Sequence, residues 1–186
     1  MNEFKNEIMK NYTMHEQELL KYFFLCMLYE VGKFVILFIF FSMFQMQTVF
    51  CIEVIILMTI RNFFGGLHFK HNISCFLFTL AFMVAGMILN ESINPNFFYK
   101  IGILVICCIV SIMIKPIMSC NHPKASKKAE TIYHRLGILQ MFIYLMLFIT
   151  MKTFPYSNLC FWVIVLQTLQ LLVAEYNRKE AKKYEM

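Results

Sequence analysis

A chain of 186 residues that is 60% hydrophobic and only 15% charged, with a mean hydropathy of +0.63, carries far more apolar residues than a soluble core of its size can bury. A water-soluble globular protein is thereby excluded. The composition predicts an all-α integral membrane protein, a single membrane domain over residues 1–186 with about six short transmembrane or re-entrant helices. The net charge of +6 sets 17 basic residues against 11 acidic ones, all glutamates, so any catalytic carboxylate must be a glutamate.

In chain order, residues 1–33 are polar and mixed in charge, and they read as an amphipathic cytoplasmic or interfacial helix. Strongly apolar sequence begins only near Phe34, so no cleavable signal peptide is expected. Apolar runs follow at 34–60, 76–89, 101–114, 138–151 and 159–174. Several are shorter than the roughly 20 residues a bilayer core requires and must borrow neighbours such as Ile73 and Phe97.

The first run would rise about 40 Å as one helix, yet QMQ at positions 45–47 interrupts it. Lys and Arg collect on the cytoplasmic side of membrane proteins. Splitting the run at QMQ gives six spans and places every basic residue except Lys100 and Lys152 on one face, with both termini cytoplasmic. In a variant, the first span starts near Tyr22, with Glu30 and Lys33 neutralising one another three residues apart.

Residues 115–137 form a basic cytoplasmic loop and residues 175–186 a basic tail, both accounted for by anchoring on anionic membrane lipid. Because the basic residues follow the spans, nucleic-acid binding is not expected. Of the seven cysteines, Cys26, Cys51, Cys107, Cys108 and Cys160 lie inside apolar runs and behave as small hydrophobes, so no disulfide framework is read.

The stretch RNFFGGLHFKHNISC, residues 61–75, is different. It lies between two apolar runs and ends with Cys75 at the boundary of water and lipid. A thiol becomes a nucleophile beside a base and positive charge, and Arg61, His68, Lys70 and His71 supply both. On a continuous helix His68 and Cys75 would be about 10 Å apart along the axis, too far for proton transfer, whereas His71 and Cys75 would meet directly. Gly65 and Gly66 provide a turn that lets the segment fold back. Three other readings compete at this point: a structural cysteine, histidines that contact headgroups, and a metal site of His68, His71 and Cys75 with Cys120 or His122. The last matches no standard zinc spacing, and neither a metal nor another cofactor is expected.

The order Arg61, then GGLH, then Cys75 after six intervening residues resembles the accessory gene regulator B family, membrane cysteine endopeptidases of Gram-positive quorum sensing. Chain length, the polar start, the short spans and the lysine- and proline-bearing loop are similar too. The resemblance implies His68 and Cys75 as the catalytic pair, and hence a bend or break in the helix around Asn72. It departs from the family pattern after the histidine, where this chain has Phe69, Lys70 and His71.

The resemblance further implies cleavage of a small precursor peptide on the C-terminal side of its signal portion, followed by ring closure. Such precursors carry an amphipathic leader and an acidic tail, which Lys124, Lys127 and Lys128 could attract. A homodimer in the cell membrane is implied as well. The Gly65 and Gly66 amides or the Arg61 guanidinium are candidates for stabilising the oxyanion. Glu53, a carboxylate inside a span, is a candidate for orienting His68 or pairing with Arg61. The alternative is a non-enzymatic transporter subunit or scaffold whose basic loops bind lipid.

Overall fold

The computed structural model describes residues 14–67, 72–116 and 127–184, and among these every regular element is a helix. There are six: α1 (Met14–Met43), α2 (Gln47–Phe64), α3 (Asn72–Ser92), α4 (Phe97–Met113), α5 (Lys127–Thr150) and α6 (Ser157–Tyr184). The chain forms two units, Met1–Gln45 and Met46–Met186.

In the first unit α1 runs unbroken through position 33 and joins residues 14–33 to the first apolar run in one helix. The physical reason is the anticipated pair: Lys33 Nζ lies 2.5 Å from Glu30 Oε2, and the two charges neutralise each other one turn apart. Exposed Phe24, Leu28, Ile36 and Ile39 give α1 an apolar surface suited to lipid. The helix stops where QMQ predicts. Gln45 adopts a φ of 59°, in the left-handed region that a continuing helix cannot use, and α2 begins two residues later.

The second unit is a helical bundle. Phe50, Glu53, Ile56, Leu57, Ile60 and Phe64 recur at three- and four-residue intervals and form the buried stripe of α2. This helix packs against α3, α5 and α6, while α4 packs against α5 and α6. Among the described residues four helices hold segments long and apolar enough to cross a membrane, Gln47–Phe64, Ile73–Ser92, Glu130–Thr150 and Ser157–Glu180, and α4 is a shorter apolar helix. As expected, Ile73 and Phe97 are taken into α3 and α4. Residues 115–137 are only partly a loop, because α5 begins at Lys127, and α6 carries helix through most of the basic tail.

Contacts among helix ends sort the bundle into two poles. At one, Phe97 stacks on Phe148 with centroids 5.8 Å apart, Lys152 lies over the Phe97 ring and Lys100 over Phe161. At the other, His134 sits 3.3 Å from the Ser111 carbonyl and edge-on to Phe64, and Arg178 donates to the Pro116 carbonyl at 3.4 Å. Lys100 and Lys152, the two basic residues expected to stand apart, thus share a pole away from Arg61 and Arg178.

Candidate functional site

Three residues from three helices fix a common layer in the bundle. The Glu53 carboxylate is pressed against the α-carbon of Gly86, and a methyl group built on Gly86 would also meet Val163 Cγ2 at 3.8 Å. From that layer Phe64 is about 16 Å along α2 and Asn72 about 21 Å along α3. Were the two helices parallel, those ends would lie about 37 Å apart, beyond the roughly 28 Å that the eight peptide steps between them can span. So α2 and α3 are antiparallel, and Cys75 lies at the same pole as Arg61 and the two glycines.

Cys75 occupies the first turn of α3 and is half-buried. Its carbonyl accepts a hydrogen bond from Thr79 Oγ1 at 2.9 Å, and Thr79, Met83 and Gly86 continue its stripe as buried residues facing the bundle. The thiol is therefore presented on the inward face of α3, at its end.

The turn before it is built by glycine. Gly65 closes α2 at φ 75°, ψ −151°, a conformation that side chains rarely tolerate, and its N–H donates to the Arg61 carbonyl at 2.8 Å. That amide is therefore engaged as the helix cap, leaving Gly66 and Arg61 as the freer oxyanion candidates. Gly66 is buried against two side chains: a methyl group there would lie 3.1 Å from Nε2 of Gln170 and 3.2 Å from Nε of Arg61. The Arg61 guanidinium has no ion pair or hydrogen bond among the described residues.

His68, His71, Lys70 and Lys124 lie outside the described residues. Asn72 is the first described residue of the helix that carries Cys75, and the bend expected around it adjoins residues outside those described. Lys127 opens α5 and Lys128 is exposed on its first turn. Glu53 is 0% exposed and neither of its oxygens has a hydrogen-bond partner among the described residues, Arg61 included. No group of three or more metal-ligating side chains occurs among the described residues.

Sequence reasoning missed Gln167 and Gln170. Both are buried in α6 with their amide atoms unpartnered among the described residues, and Gln170 stands directly at the glycine turn. The available signal was two carboxamides three residues apart inside an otherwise apolar run.

Fold and site define a small polytopic helical membrane protein with a thiol, a glycine turn and, among the described residues, an unpaired guanidinium at one pole. A family model described as accessory gene regulator B matches residues 1–171, and the chain belongs to that family. Its members take part in processing the peptide signal of that quorum-sensing system, acting on a precursor peptide in a membrane setting. No curated protein and no solved structure matches the chain.

Proposed function

We propose that the chain is a cysteine endopeptidase of the cell membrane, cutting a small precursor peptide on the C-terminal side of its signal portion and promoting closure to a thiolactone or lactone. The observation that carries this reading is the setting of Cys75: half-buried, inward-facing, at the first described turn of α3 and at the same pole as the glycine turn. Family membership supports it independently.

In this mechanism His68 removes the proton from Cys75 Sγ, and the sulfur attacks the scissile carbonyl carbon. Arg61 or the Gly66 amide stabilises the oxyanion. The intermediate collapses to a thioester as the C-terminal fragment leaves through its amine, which takes the proton from His68. A thiol or hydroxyl within the retained portion then attacks the thioester carbonyl, closing the ring and releasing Cys75. Exclusion of water by the surrounding helices protects the thioester from hydrolysis.

The whole chain acts as a single membrane domain, as a homodimer, with both termini cytoplasmic, its basic residues beside anionic lipid and Lys124, Lys127 and Lys128 drawing the acidic tail of the precursor. The test is the intact mass of the peptide encoded by a neighbouring short reading frame, co-expressed with wild type, Cys75→Ala, His68→Ala and His71→Ala. Loss of a C-terminal fragment with wild type and His71→Ala alone is expected. Processing that survives Cys75→Ala would overturn the peptidase and favour a lipid-binding scaffold.

A further inference from the structure

The α-carbon of Gly66 is covered by side chains from two helices. A methyl group built there would meet Nε2 of Gln170 on α6 at 3.1 Å and Nε of Arg61 on α2 at 3.2 Å, with Arg61 Nη2 next at 3.7 Å. The carboxamide and the guanidinium therefore fill the space that a side chain at position 66 would take. Nε and Nη2 share one edge of the planar guanidinium, so it is this edge that faces the filled space, and Nη1 stands farther off.

Gln170 is 5% exposed, and neither atom of its carboxamide has a hydrogen-bond partner among the described residues. Arg61 is half-buried and has no partner among them either. The chemistry of the two groups is complementary: a guanidinium only donates, and a carboxamide carries an acceptor oxygen. A half-turn about the last side-chain bond exchanges the carboxamide nitrogen and oxygen without moving the chain. Polar groups buried in a bundle surrounded by lipid are strongly driven to pair.

We infer that Gln170 is a positioning residue: its carboxamide oxygen accepts from the Nε edge of Arg61 over Gly66 and holds the guanidinium with Nη1 toward the oxyanion formed when Cys75 attacks. This rests on the peptidase reading above, with Arg61 as the oxyanion donor. The arginine stem turns about several bonds, and a guanidinium left unclasped must be ordered anew in each turnover. Fixed along one edge it is preorganised, and a neutral carboxamide fixes it without cancelling the charge that draws the oxyanion. Gln170 itself touches no reacting atom.

Two measurements on the full-length protein in detergent test this. The chain has three arginines, Arg61, Arg135 and Arg178, so the Nε–H signals of isotope-labelled arginine can be assigned by substitution. Gln170→Met removes both polar atoms at nearly constant shape. It is expected to speed exchange of the Arg61 Nε–H with water at least about tenfold and to leave Arg135 and Arg178 unchanged, whereas Gln170→Glu, which keeps an acceptor oxygen, retains the protection. In processing of the precursor peptide, Gln170→Met should lower kcat about 10- to 100-fold with KM within about twofold. Added to Arg61→Met it should cost less than about a further twofold, because the group it positions is already gone. Unchanged Nε–H exchange in Gln170→Met would overturn the inference. So would additive losses in the double variant, or loss of folded protein in Gln170→Met, each of which would assign the carboxamide to packing. Failure of the underlying reading is seen separately, as processing of the peptide by Cys75→Ala, and the exchange measurement does not depend on it.

Discussion

The side chain of Glu53 on α2 lies in contact with Gly86 on α3, fully buried and without a hydrogen-bond partner among the described residues. The contact exists only because position 86 has no side chain. Gly86→Ala is expected to destabilise the protein by about 1–3 kcal/mol through overpacking. Glu53→Ala should relieve most of that loss in the double variant, a coupling read from thermal unfolding of the four proteins in detergent. Equal effects of Gly86→Ala in both backgrounds would show that the carboxylate gives way freely.

The same carboxylate separates stability from function. Glu53→Gln exchanges a fully buried side chain, without a hydrogen-bond partner among the described residues, for an amide of nearly the same shape, so the melting temperature should change little. A simultaneous drop in precursor processing is expected if Glu53 orients His68, and unchanged processing and protein level would remove Glu53 from the site.

Gly65 carries the turn through its backbone angles. Gly65→Ala should cost about 1–3 kcal/mol and displace Gly66 and Arg61 from the end of α2, lowering processing at least about tenfold. Gly32→Ala and Gly102→Ala serve as controls, since an added methyl there meets nothing within 4 Å. Processing rates of the three variants at matched membrane levels decide the matter.

Gly137 backs the end of α2 from α5. A methyl group there would come within 2.7 Å and 2.8 Å of the Phe64 ring, which is wholly buried. Gly137→Ala is expected to lower stability by about 1–3 kcal/mol and, by shifting Phe64, to impair processing although it lies on another helix. Phe64→Leu should recover part of both losses, measured as melting temperature and processing rate.

Reversing Lys124, Lys127 and Lys128 to Glu should raise KM for an acid-tailed precursor about tenfold at low salt with little change in kcat. The difference should shrink toward 1 M salt, where exposed charges are screened within about 3 Å. A salt-independent loss would point to a structural part for these lysines.

Much of the fold was legible because its signals are local. The break at Gln45 follows from QMQ in an apolar run, and Ile73 and Phe97 had to join their helices because the runs beside them were too short. The extent of α1 was harder to read: Lys33 looks like a boundary until its charge is seen to be met by Glu30 one turn earlier. At the site, Arg61, Gly65, Gly66 and Cys75 stand together in sequence, and their common pole follows from a short connection. Gln170 lies about a hundred residues away, and an isolated carboxamide in an apolar run acquires meaning only from the helix that packs on it. The choice of His68 over His71 came from family resemblance, and both lie outside the described residues.

Asn158 and Trp162, at the start of α6, donate to the last carbonyls of α3: Asn158 to Asn90 at 2.7 Å and to Ile93 at 3.1 Å, and Trp162 to Ile93 at 3.0 Å. Helix ends leave carbonyls without intrahelical partners, and these are met by side chains more than sixty residues downstream. The ribosome delivers α2 and α3 long before α6, so α3 enters the membrane with its cysteine in place and its far end unsealed. Docking of α6 seals that end and, along the same helix, brings Gln170 to the glycine turn. Assembly of the bundle and closure of the glycine turn become one event.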